Sequence, residues 1–144
     1  MQIYPLPVAD CPIPPVDRAV ALGYFDGVHI GHRAVICQTV SMGVRGLVPA
    51  VFTFDRLPAK LAGGELLSTA EKHRLIAAMG VQQLFSADFD ALRDLSPEQF
   101  VGEILQDTLN AKVVCCGEDF TFGNSLSLTI FCFSNLWATI CRFI

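Results

Sequence analysis

The residues best suited to chemistry fall in one ten-residue run, Gly23 to His32, which reads GYFDGVHIGH. Gly23, Gly27 and Gly31 remove Cβ atoms from a turn, so backbone N–H groups can approach a ligand closely. A helix that starts there adds about +0.5 of a charge at its N-terminus, which suits a phosphate. His29 and His32 stand three residues apart, and a helical turn beginning near His29 projects both imidazoles toward that phosphate. Two imidazole donors suit phosphoryl or nucleotidyl transfer, in which the protein positions reactants and neutralises charge growing on the phosphorus oxygens. By themselves, histidines at this spacing are also compatible with ordinary surface or core groups. A zinc pair needs further ligands, and neither His73 nor the cysteines supply them at ligand spacing. No metal ligand is therefore assigned from spacing.

The elements that must position this run follow from hydrophobic patterning. Val16 to Tyr24 reads as a charged lead-in and a short buried strand that Gly23 ends, and Ile30 to Met42 reads as the helix that follows. Leu47 to Phe54 is a second buried strand. Ser68 or Thr69 caps a helix through Met79, with Leu75, Ile76 and Met79 on one face and Gly80 beyond its end. Val81 to Phe85 is the third strand. Ser96-Pro97-Glu98 opens a helix whose Phe100, Val101, Ile104, Leu105 and Leu109 form an apolar stripe, and Lys112 to Cys116 is the fourth strand. Strands alternating with helices predict an α/β fold: a parallel sheet flanked by helices, with a ligand site at the carboxyl ends of the strands.

Composition narrows the function classes. The chain has 144 residues and a net charge of -4, with 52% hydrophobic and 17% charged residues. That is enough apolar material for one domain with a true core. The acidic balance, with pI near 5.2, offers no general attraction to nucleic acid or to anionic lipid. Cys11, Cys37, Cys115, Cys116, Cys132 and Cys141 form no C-x-x-C pair and no disulfide framework. Met1 to Pro15 lacks a positive n-region, and prolines interrupt it, so it does not read as a signal peptide. A reducing cytoplasm is the expected location.

At G-Y-F-D-G-V-H-I-G-H the chain resembles the N-terminal adenylyltransferase domain of bacterial bifunctional riboflavin kinase/FAD synthetase, in the nucleotidyltransferase superfamily marked by H-x-G-H. Val51 to Asp55 (VFTFD), Glu71 to Gly80 (EKHRLIAAMG), Leu95 to Val101 (LSPEQFV) and Cys116 to Gly123 (CGEDFTFG) continue the resemblance in order, over about residues 16 to 124. It implies a Rossmann-like nucleotidyltransferase fold that transfers AMP from ATP to FMN, giving FAD and pyrophosphate with Mg2+ assistance. His29 and His32 would stabilise the transition state, and Gly23, Phe25, Asp26, Gly27 and Gly31 would shape the ATP site. Asp119, Phe120 and Phe122 would face the nucleotide or the flavin. In an extended loop Phe120 and Phe122 point the same way and offer a ring for stacking, with core packing as the alternative. Asp26 either holds Mg2+ or caps the following helix.

Two departures from the family pattern qualify these expectations. The family commonly reads T-F-D-P-H-P after the second strand, whereas Thr53 to Pro58 reads TFDRLP, so Leu57 stands where the family has histidine. Beyond Gly123 the Ser/Thr-rich signature with its arginine is missing, and so is a riboflavin kinase domain. Residues 1–125 therefore read as an incomplete adenylyltransferase domain and residues 126–144 as an atypical apolar tail. As a helix that tail is about 28 Å long, just enough to cross a bilayer, but its scattered polar residues equally suit a strand and a short helix completing the core. Membrane insertion is not the expected outcome. The leading expectation is an FMN adenylyltransferase acting on ATP and FMN. The alternative is a catalytically impaired fragment that binds nucleotide or flavin.

Overall fold

The structure is a computed structural model that describes residues 1–6, 12–56, 66–117, 120–122, 126–127 and 139–143. Its strands are β1 (Gln2–Leu6), β2 (Arg18–Leu22), β3 (Val48–Arg56), β4 (Gln83–Asp88), β5 (Ala111–Gly117), β6 (Thr121–Phe122), β7 (Leu126–Ser127) and β8 (Thr139–Phe143). Its helices are α1 (Ile30–Ser41), α2 (Thr69–Ala78), α3 (Phe89–Leu92) and α4 (Pro97–Gln99), the last running on as wide π-type turns over Phe100–Thr108. Six strands form one sheet in the order β1-β4-β3-β2-β5-β8, and every neighbouring pair in it is parallel. The parallel α/β sheet flanked by helices expected from the patterning is the one found, in keeping with the Rossmann-like architecture that the resemblance implied. Strand β8, drawn from the apolar stretch 126–144, extends the sheet beside β5.

All five residues of β2 are buried, as a central parallel strand covered on both faces requires. The period of two divides them. Val20 and Leu22 face a core with Phe52, Phe85, Phe100 and Leu105, while Ala19 and Ala21 face Val35 and Ile36 of α1 and Ile76 of α2. The small alanines let α1 approach the sheet closely. Each fully buried Phe or Leu contributes about 1.5–3 kcal/mol, and the aromatic ones interlock, with Phe52 meeting Phe100 edge-on at 5.3 Å.

Helix starts follow their caps. Ser68 accepts from the Glu71 N–H at 3.2 Å. Ser96 and Gln99 form a reciprocal capping box with Pro97 at the first helical position. Two expectations change. The N-terminal segment, broken by prolines in sequence, supplies β1, whose Pro5 is tolerated because β1 is an edge strand. Ile30, apolar and the first residue of α1, is 87% exposed instead of facing the core.

Winding runs from β2 to β3 and β4 on one side, then crosses to β5 on the other. The order therefore reverses between β2 and β5, and the crevice beyond their carboxyl ends is where such sheets bind ligands. The GYFDGVHIGH run leaves β2 there, and CGEDFTFG leaves β5 there. Among the described residues no helix is long and apolar enough to cross a membrane.

Candidate active site

The chain leaves β2 through a contorted turn. Phe25 is in the left-handed region with φ 52°, Gly27 has φ 74° and Val28 has φ 40°. A β-branched residue at positive φ is strained by about 1–3 kcal/mol and persists only where its surroundings impose it, commonly at functional sites. Gly23 is needed for a separate reason: a Cβ there would lie 2.9–3.1 Å from the Phe25 ring, which is folded back beneath it. Phe25 is buried, so the ring has nowhere to retreat.

His29 is the N-cap of α1, with extended backbone, and His32 lies in the first helical turn. Their rings stack with centroids 3.6 Å apart and planes 24° apart, so the two imidazoles come together as expected, face to face. Phe25 meets His32 edge-on at 5.4 Å. Gly31 makes room for the stack, since a Cβ there would lie 3.3 Å from the His29 ring. Burial, reinforced by the neighbouring His29, pulls His32 down to about 4, with Asp26 acting in the opposite direction. His32 is therefore neutral near pH 7. Its Nδ1 is buried and has no hydrogen-bond partner among the described residues, an expense a protein rarely tolerates without a use.

Beside this turn lies an open cleft lined by Tyr24, Asp26, Phe54, Asp55, Leu67, Thr69 and Lys72. Asp26 accepts the Leu66 N–H at 3.0 Å, so it ties the turn to the segment that leads into α2. Of the two roles open to it, it does not cap α1, whose N-cap is His29. At the floor of the cleft Lys72 is buried, and its Nζ donates to the Phe54 carbonyl at 2.8 Å. Burial lowers His73, with Asp55 acting against it. His73 Nε2 faces Asp55 Oδ1 at 3.4 Å without a formed hydrogen bond, and both atoms are buried.

The expected site residues divide. Gly23, Phe25, Asp26, Gly27, Gly31, His29 and His32 gather at the end of β2. Phe120 is half-buried and packs against the larger core cluster. Phe122 belongs to the short β6–β7 ribbon, and Asp119 and Leu57 lie outside the described residues. Lys72, Thr53 and His73 had no assigned role in the sequence. A signal for Lys72 existed, since it precedes the core residue Ile76 by four and so places a charge on the apolar face of α2. Among the described residues no three His, Cys, Asp or Glu side chains converge on a metal position.

The sequence model of the FAD synthetase family matches residues 14–138. The chain is similar to the bifunctional riboflavin kinase/FMN adenylyltransferase of Listeria monocytogenes, at 34% identity over 75% of this chain and 37% of the relative. The Bacillus subtilis protein of the same description is 34% identical over 72% of this chain and 35% of its own length. The chain thus spans little more than a third of these relatives. Among solved structures it resembles that of a macrolide-efflux protein from Streptococcus pneumoniae, with a TM-score of 0.79 and 25% identity, covering 100% of this chain and 52% of the other.

Proposed function

The chain belongs to the FAD synthetase family, and from that premise we propose that it transfers AMP from ATP to the phosphate of FMN. In that reaction an FMN phosphate oxygen forms a bond to the α-phosphorus of ATP. The bond from that phosphorus to the bridging β-oxygen breaks, and pyrophosphate leaves with FAD as product. The observation that carries the reading is the His29–His32 stack at the start of α1, beside the switch point of the sheet.

Negative charge grows on the α-phosphoryl oxygens as the bonds exchange, and fixed N–H donors at a helix N-terminus oppose it without reorganising. Gly27 and Gly31 keep side chains away from the path of the triphosphate. His32 enters the site neutral, its Nδ1 without a hydrogen-bond partner among the described residues, and an approaching phosphate raises its proton affinity, so the imidazole takes up positive character where it is needed. Mg2+ fits a site with one carboxylate and substrate phosphates. Asp26 would hold it, because accepting one N–H leaves lone pairs free on its oxygens, and the ion when bound would supply charge neutralisation on the phosphates.

Incubating the purified chain with ATP, FMN and Mg2+, with FAD followed by chromatography, tests the proposal. Formation of FAD that the His29→Asn/His32→Asn double variant loses is the expected result. A folded wild-type chain that yields no FAD refutes the proposal, and ATP binding in that same sample would leave only the nucleotide-binding alternative.

A further inference from the structure

We propose that Lys72 is the positioning residue of the histidine turn, holding it from beneath through the carbonyl of Tyr24. The inference rests on reading that turn as the phosphate site. Lys72 lies on α2, remote in sequence from the residues it supports. Its Nζ donates to the Phe54 carbonyl at 2.8 Å, to the Tyr24 carbonyl at 3.4 Å and to Thr53 Oγ1 at 3.4 Å. Thr53 Oγ1 in turn donates to the same Tyr24 carbonyl at 3.0 Å, which leaves its lone pairs to accept from Lys72. The Tyr24 carbonyl thus receives two donors, one of them charged, and charge-assisted bonds are the stronger kind.

Tyr24 is the last residue before the chain enters the left-handed conformation of Phe25. Fixing its carbonyl fixes the peptide plane that leads into Phe25, and the Phe25 ring then fills the space beneath Gly23 and abuts His32. His32 carries His29 on its face. The ammonium therefore sets one end of a chain of rigid contacts whose other end is the imidazole stack. Desolvating an ammonium is expensive, and an apolar residue of the same length would fill the volume, so packing alone does not call for lysine here. The second tie from the same region, Leu66 N–H to Asp26, acts on the far side of the turn and leaves the Tyr24 side to Lys72 and Thr53.

Lys72→Met keeps length and packing and removes the donors. The readout is the imidazole Cε1–H signals of His29 and His32 in ligand-free protein, which the stacked ring and the Phe25 edge displace from exposed values. Folded K72M is expected to lose that displacement and to bind ATP about tenfold more weakly by calorimetry. K72M with unchanged imidazole signals overturns the inference. Should K72M not fold, Thr53→Val carries the test: a smaller change in the same signals is expected, and unchanged signals overturn the inference. The signals are read without AMP transfer, so failure of this inference and failure of the proposed activity are separable.

Discussion

The two ends of the sheet each bury a cation, and they treat it differently. At the amino ends of the strands Arg18 is fully buried, and four of the five N–H groups of its guanidinium donate within the protein. It donates to Gln83 Oε1 at 2.6 Å and to the carbonyls of Pro14, Val16 and Leu109 at 2.6–3.0 Å, with the Phe85 ring 5.4 Å away. Burial lowers its proton affinity from the usual arginine range, and little donor capacity is left over for a ligand. At the carboxyl ends Lys72 is buried as well, yet its neighbourhood is unfinished. The buried side-chain atoms without a hydrogen bond among the described residues are His32 Nδ1, Ser86 Oγ, and Asp55 Oδ1 and His73 Nε2, which face each other at 3.4 Å, and all four lie toward this end. Positive φ at Phe25 and Val28 adds strain to the same place. A buried charge is thus no mark of function; leftover hydrogen-bonding capacity beside a cleft is the better one.

Removing the stacked imidazoles should produce the largest effect. His29→Asn/His32→Asn is expected to slow FAD formation by at least about 10³-fold, since one such donor is worth about 10²–10³, while leaving the urea midpoint near that of wild type. Arg18→Met should do the reverse. It strands the acceptors of the clasp and should lower unfolding free energy by about 3 kcal/mol in urea titration, with AMP transfer per folded molecule retained. An R18M protein that is stable but inactive would break the comparison.

A pH series sharpens it. In the fold His32 titrates at about 4, against about 6.5 in an unfolded chain. Between those values the unfolded chain binds a proton that the folded chain refuses, so stability is full above about 6.5 and declines as pH falls toward 4. Urea midpoints at pH 7 and pH 5 should differ in wild type and differ less in His32→Asn. A residual difference should persist, because burial lowers His73 too. The smallest effect is expected from Gly31→Ala. Alanine favours the helix by up to about 1 kcal/mol, yet its Cβ would press on the His29 ring from 3.3 Å. Thermal stability should rise slightly while FAD formation falls about two- to fivefold.

Much of this was legible in the sequence. The glycine-spaced histidine run announced the turn that brings His29 and His32 together, and the alternation of strands and helices announced the parallel sheet that places it. The capped starts of α2 and α4 followed from Ser68 and from Ser96-Pro97, because local hydrogen bonds decide them. Strand β1 was not legible, because proline obscures a short edge strand that exists only by pairing with β4. Nor were the Lys72 strut and the Asp55–His73 contact, which depend on how α2 lies against the end of β3. Periodicity shows which face of a helix is apolar; it does not show which strand end a charge on that face will meet.

The claim that the unsatisfied end of the sheet is the phosphate site is tested most directly by titrating the protein with ATP and Mg2+ while recording two sets of NMR signals. The account predicts that the Cε1–H signals of His29 and His32 shift with saturation while the Arg18 Nε–H signal stays in place. Imidazole signals that do not move, or an Arg18 signal that moves with them, would contradict it.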